Sequence, residues 1–256
     1  MIHPTALIDP TARLAEDVEV GPFAIIGAGV EIDAGSRVEG HAIIQGPTRI
    51  GRNNHVHPFC VIGGDPQDKK YGGERTTLVI GDGNTFREHV TVSRGTVQDS
   101  GETRIGDHNW IMASVHIAHD CRIGSHIVMA NNATLAGHVQ IDDWAVIGGL
   151  TGIHQFCRIG THAFVGMGCQ INADVPPFVL VAGHYASPRG INSEGLRRRG
   201  FSATTIAAIK RAYRTVYIGG TPLAEATQRL REQAGESDEV AAMLAFIERS
   251  QRALLR

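Results

Sequence analysis

The chain lacks several things that would have placed it quickly. No stretch of its 256 residues approaches eighteen consecutive apolar residues, so no transmembrane helix is expected. The opening "MIHPTALIDPTARL" has no basic start followed by an apolar core, so no secretory signal is expected. The four cysteines, Cys60, Cys121, Cys157 and Cys169, form no C-x-x-C pair. They read as reduced thiols, and the expected compartment is cytoplasmic. A basic excess is also missing: the net charge is −2, which argues against a nucleic-acid partner. Aromatic residues make up only 5%, too few for a conventional sandwich core, whereas glycine is abundant at 31. That balance points to something thin and repetitive.

The repeat has a period of six. Stepping from Ile2 gives Ile8, Leu14, Val20, Ile26, Ile32, Val38, Ile44, Ile50, Val56 and Ile62. The ladder resumes at Ile80, Phe86 and Val92, and again from Ile105 through Ile117, Ile123, Leu135 and Ile153 to Ile171. Six fits neither an amphipathic helix nor an alternating strand. It fits a parallel β-helix in which each hexad is a short strand and a turn. The aliphatic residue points inward, and the glycine that often follows it (Gly51, Gly106, Gly124) is expected to allow the corner. Three hexads close a coil, so a face recurs every eighteen residues. Eight or nine coils at about 4.8 Å make a prism of about 40 Å. Flat outer faces of this kind predict a homo-oligomer with pockets between neighbours.

Two polar interruptions, near 63–78 and 93–104, must loop outward from a packed ladder. The ladder ends around Pro176-Pro177. Beyond it, Ser202, Thr221-Pro222 and Ser237 are predicted to start three helices. The domains are thus 1–187, the prism, and 188–256, a small helical unit.

Histidine is frequent, at 13. His108, His126 and His162 share one face and read as structural or interfacial. His116, His119, His138 and His154 fall within about two coils of one another. Asp120 beside His119 suits a general base, because a carboxylate orients an imidazole and raises its basicity. A metal site needs three converging ligands, and no third ligand stands at a telling spacing. From the residues alone, base, metal ligand and plain surface pair all remain open.

The ladder, together with "QDKKYGGERT", "SRGTVQ", "HIAHDC", "NNATLAGHV", "IGGLTGIHQFCRIG" and "NSEGLRRRGF", resembles the UDP-N-acetylglucosamine O-acyltransferases of lipid A biosynthesis. The likeness runs nearly end to end. It implies a mainly β fold: a left-handed parallel β-helix with a C-terminal α-helical domain. The left hand comes only from the resemblance, since crossover rules favour the right hand. It also implies a homotrimer and a 3-hydroxyacyl chain passing from acyl carrier protein to the sugar 3-hydroxyl. The donor's phosphopantetheine thioester is the only activated group, with no metal and no bound cofactor.

In that family pattern His119 is the base, Asp120 orients it, and the Gly137 N–H stabilises the oxyanion. Gln67, Asp68 and Lys70 are sugar and donor contacts, and His116, His138, His154 and Gln155 line the pocket. Asn192, Glu194 and Arg198 hold the nucleotide, and Arg197 and Arg199 offer charge to the acidic carrier protein. Two positions depart from the pattern. Ser93 replaces a frequent histidine, which leaves a 3-amino sugar open as acceptor, although Asp68 favours the hydroxyl sugar. Met167 replaces glycine at the floor of the acyl groove. A groove for about fourteen carbons would then hold about ten, unless Met167 turns into the core or the groove bends around it.

Three other readings fit parts of the pattern. A related N-acyltransferase would carry an extra N-terminal uridine-binding domain. A β-helical, metal-dependent carbonic anhydrase would need three histidines across an interface. A scaffold would not account for two polar loops beside His119.

Overall fold

The computed structural model describes the backbone of residues 1–256 and every side chain except that of Glu236. Two- to five-residue strands wind into three mostly parallel sheets that form the faces of a triangular prism. One sheet has nine strands, from Leu7–Ile8 to Gln170–Ile171. A second has eight, from Arg13–Leu14 to Arg158–Ile159. The third has ten. It starts at Glu19–Val20 and ends with Val179–Ala182 and an antiparallel partner, Ser187–Ile191. The last strand therefore crosses the boundary expected at 187, and the sheet ends at Ile191.

The six-residue ladder is the core. Ile26, Ile44, Ile62, Val92, Ile117 and Leu135 stack in register on one face, and all are buried. Each such side chain withdrawn from water contributes about 1.5–3 kcal/mol. The first rungs are thinner, for Ile2 is exposed at the open end. Elsewhere in the core, stacked asparagines replace aliphatics. Asn54 Oδ1 accepts from the Asn84 backbone N–H at 2.9 Å, and Asn84 Oδ1 accepts from that of Asn109 at 2.9 Å. Their amide groups donate to the carbonyls of Gly81, Gly106 and Gly124, so these buried polar atoms are satisfied.

The corners are made differently from the expectation. Gly51, Gly106 and Gly124 do not supply the turn conformation. A Cβ on Gly106 would stand 2.7 Å from the Gly124 carbonyl oxygen, so glycine is there for close approach of successive coils. The left-handed φ falls instead three places after the ladder residue, on His108 (56°), His126 (59°), His138 (62°) and Phe156 (64°), and at other corners on glycines such as Gly29, Gly35 and Gly83. Histidine and asparagine tolerate this region better than most side chains. Eighteen-residue spacing then stacks the corner rings. His108, His126, Trp144 and His162 form one column, with centroids 4.0–6.0 Å apart.

The two interruptions leave the ladder in register. Ile62 pairs with Val92 and Val92 with Ile117, so the extra residues bulge outward while the pairing continues. Strands Val61–Gly64, Thr77–Ile80, Thr91–Ser93 and Glu102–Ile105 take up the ends of both interruptions, so the protruding loops are shorter than the polar stretches.

The tail has four helices, one more than expected. α1 (Ser193–Arg198) was missed because it is only six residues long. α2 (Ala203–Tyr217) is capped by Ser202, whose side chain accepts from the Thr205 N–H. α3 (Leu223–Gln233) has Pro222 itself at the N-cap, one place later than expected. α4 (Asp238–Arg249) starts after Ser237, which makes no side-chain cap and bonds to Glu239 instead. None of the helices is long and apolar enough to cross a membrane, among the described residues.

Candidate active site

Asp120 is the anchor. It sits at a corner with φ 60°, its side chain fully buried. Its backbone N–H donates to Thr103 Oγ1 at 2.8 Å, which fixes the corner. Its carboxylate accepts from the Thr96 N–H at 2.9 Å and the Thr96 hydroxyl at 2.6 Å, both from the second loop. His119 Nδ1–H donates to the same carboxylate at 2.8 Å. Burial alone would raise the Asp120 pKa. The hydrogen bonds from His119 and Thr96, with His138 nearby, overcome it and hold the carboxyl below its ordinary value. An ionised Asp120 that accepts Nδ1–H leaves Nε2 of His119 with its lone pair available.

His138 completes the group. Its ring meets that of His119 edge-on at 5.2 Å and stacks on Phe156, one coil above, at 4.4 Å. Nδ1 of His138 lies 3.1 Å from Asp99, and Nε2 lies 3.8 Å from Asp120. His116 hydrogen-bonds Thr91 Oγ1 at 2.7 Å. Burial first, and then the neighbouring His119, hold the His116 pKa below its ordinary value. Gly137 lies against the His119 ring. A Cβ there would stand 2.5 Å from Cε1 and 2.7 Å from Nε2. Its N–H makes no hydrogen bond among the described residues.

His119 and His138 open on a cleft of about 730 Å³, bounded by Gln67, Asp68, Lys70, Asp99, Gln155 and Phe156. The first loop is folded on itself, with Asp68 accepting from the Lys70 N–H at 3.0 Å. Arg94 clamps the two loops together. It is buried and reaches Asp65, the Gly63 carbonyl and the Tyr71 hydroxyl.

The structure thus gathers His119, Asp120, Gly137, His138, Gln67, Asp68, Lys70 and Gln155. It does not gather all the expected residues within one protomer. Ser93 is buried, bonds to the Asp65 carbonyl at 3.4 Å, and does not line the cleft. His154 is exposed and bonds to the carbonyl of Gln155. Asn192 is buried as the α1 cap and also donates to the His162 carbonyl. Glu194 pairs with Arg197 and Arg198 on the exposed side of α1. Arg199 does not stand out beside Arg197, for its guanidinium lies 5.2 Å over the Trp144 ring. Met167 is 76% exposed, which rules out the reading in which it turns into the core.

Sequence reasoning missed Thr96, Thr103, Arg94, Asp99 and Phe156. Phe156 was findable, since it lies eighteen residues beyond His138 on one corner. The others lie in or beside loops, where no period applies. The spacing also gave no hint that His119, Asp120 and His138 each place a potential metal-ligating atom within 4.8 Å of the others. Two of these atoms already serve the His119–Asp120 hydrogen bond.

A prism of hexad coils with a carboxylate-held histidine at its edge defines a class, the hexapeptide-repeat transferases. The family model described as bacterial transferase hexapeptide (six repeats) matches residues 102–137. Residues 174–255 match the model described as Udp N-acetylglucosamine O-acyltransferase, domain 2. A curated Stenotrophomonas maltophilia protein, acyl-[acyl-carrier-protein]–UDP-N-acetylglucosamine O-acyltransferase, is 61% identical over all of this chain and 97% of its own length. The protein of that name from Halorhodospira halophila is 60% identical over all of this chain and 99% of its own. The solved Acinetobacter baumannii UDP-N-acetylglucosamine acyltransferase structure superposes with a TM-score of 0.97 at 43% identity, covering 100% of this chain and 99% of that one. That from Bacteroides fragilis gives 0.98 at 39%, with full coverage of both. The chain belongs to the UDP-N-acetylglucosamine O-acyltransferase family, is an O-acyltransferase, and folds as its left-handed parallel β-helix.

Proposed function

We propose that the protein moves a 3-hydroxyacyl chain from acyl carrier protein to the 3-hydroxyl of UDP-N-acetylglucosamine, the first step of lipid A biosynthesis. The observation that carries the mechanism is the buried Asp120 holding His119 by Nδ1, with Nε2 turned to chemistry. Nε2 takes the proton of the sugar hydroxyl as that oxygen attacks the thioester carbonyl. The Gly137 N–H, which makes no other hydrogen bond among the described residues, donates to the oxyanion. When the intermediate collapses, the C–S bond breaks and the imidazolium returns its proton to the departing thiolate. A thioester is already activated, so positioning and proton transfer suffice. His138, between Asp99 and the Asp120 carboxylate, lines the reacting side of the cleft.

Lys70 and Gln67 on the first loop and Gln155 on the prism border the same cleft and suit the sugar and the donor arm. Asn192, Glu194 and Arg198 lie outside this cleft in their own protomer, so a nucleotide contact by them requires a neighbouring copy. Exposed apolar residues on the prism, such as Leu7, Ile25 and Leu150, support such a homotrimer. Exposed Arg197 is suited to the acidic carrier protein. Exposed Met167 is placed to shorten an acyl groove formed against a neighbour, with a preference near ten carbons.

The test is an acyl-transfer assay with UDP-N-acetylglucosamine and 3-hydroxyacyl carrier proteins of graded length, with the acylated position read by NMR. A 3-O-acyl product supports the reading. Turnover only with a 3-amino sugar would overturn the acceptor, and zinc-dependent hydration of carbon dioxide without acyl transfer would overturn the reading itself.

A further inference from the structure

A second cluster lies on the ten-stranded face, far along the chain from the His119 cleft. Strand His55–Val56 turns Val56 into the core, which leaves His55 and His57 on the outer surface. Arg37 pairs with His55 across successive coils, so Glu39 lies one coil below His57. Glu39, His55 and His57 each place a potential ligand atom within 4.8 Å of the others. His55 Nε2 and Glu39 Oε1 share a hydrogen bond at 2.7 Å, which an ion would replace, and the two imidazoles stack with centroids 4.0 Å apart. Behind His57, Glu88 places a carboxylate oxygen 3.6 Å from Nδ1, and Arg87 holds that carboxylate with two hydrogen bonds. The His57 ring itself makes no hydrogen bond among the described residues, although it is half-buried.

We propose that Glu39, His55 and His57 bind a divalent cation of the zinc, cobalt or nickel type. Two imidazole nitrogens and one carboxylate oxygen suit these ions, whereas magnesium and calcium prefer all-oxygen sets. Glu88 stands where an outer carboxylate fixes a ligating imidazole, so that Nδ1–H points to Glu88 and Nε2 to the ion. Arg37, 3.7 Å from Glu39, is the competing cation, and it would swing away when an ion takes Glu39. A bound ion would tie the Glu39 coil to the next one, from which the first polar loop leaves between Gly64 and Thr77.

The experiment titrates zinc chloride into the chelator-stripped, full-length protein by calorimetry, and reads cobalt(II) by its visible absorption. The expected result is one ion per chain and an intense low-symmetry cobalt band. His57→Asn and Glu39→Gln each weaken binding by about tenfold or more. His138→Asn leaves binding unchanged, and His57→Asn leaves acyl transfer unchanged. Glu39→Gln is nearly isosteric and carries the test if His57→Asn melts early. No saturable binding to the wild type overturns the proposal. So does binding that survives both substitutions and disappears with His138→Asn, because that ion would belong to the His119 cleft. Acyl transfer is assayed on the same stripped protein, so failure of this site and failure of the acyltransferase reading are told apart.

Discussion

Two corners of the prism carry histidines in the same backbone state, yet their surroundings differ. His126 and His138 both have φ near 60° and both stack on an aromatic ring one coil above, Trp144 and Phe156. The His126 column is closed with hydrophobic and cationic packing: Trp144, His162, Phe178 and the Arg199 guanidinium. The His138 corner has Asp120 one coil below and the second loop folded over it, so Asp99 and Thr96 reach in. The coil supplies a rigid, repeated position. A carboxylate at the corner and a loop folded over it make that position a candidate site.

The comparison breaks most sharply at His119. His119→Ala is expected to lower kcat by about 10²–10⁴-fold with an unchanged melting temperature, whereas His126→Ala leaves turnover within a few-fold. Steady-state kinetics beside thermal melts decide this. Full activity of His119→Ala in a folded protein would remove the proposed base.

Asp120→Asn comes next, with a loss of about 10²-fold or more, because an amide cannot accept from His119 and both Thr96 donors as a carboxylate does. It also tests stability. The Asp120 pKa is lowered in the folded state, so its contribution is present above the ordinary carboxylate range and is lost as pH falls through the lowered value. Melting curves between neutral and acid pH should lose part of their acid dependence in the variant.

Gly137→Ala places a methyl against the His119 ring, and the ring must move. Turnover should fall by about tenfold or more while melting changes little, because φ at 137 is not left-handed. Wild-type kinetics in Gly137→Ala would show that the ring position is not critical. Met167→Gly should move the preferred donor from about ten to about fourteen carbons with little change in maximal rate, read by competition among donors.

The smallest effect is on the other corner. Burial, and then Arg199, push the His162 pKa down to about 4 from 6.5. The unfolded chain therefore binds the proton more readily across that window, and stability falls as pH drops from about 6.5 to about 4. His162→Phe, a residue type that Phe156 shows this backbone accepts, should flatten that part of the pH–melting curve. An unchanged curve would mean that His162 does not titrate there.

The sequence by itself determined the prism. A period of six places an aliphatic residue inside at every short strand, and the ladder from Val20 to Ile171 is buried as that pattern requires. It also determined the His119–Asp120 pair, because neighbours in sequence at a corner stay neighbours in space. The loops escaped it. Thr96, Asp99 and Arg94 lie in or beside an insertion that obeys no period, so only the folded chain brings them to Asp120, His138 and Asp65. The corner chemistry escaped as well. Glycines read as turn formers, such as Gly106, proved to be points of close approach, and many of the turns fell to histidines and aromatics with positive φ. Arg199 shows the same limit, since a run of three arginines looks uniformly solvated until the helix end lays one of them on Trp144. Local periodicity is written in the chain, but which distant side chain meets a given corner depends on how the coils, loops and tail close in three dimensions.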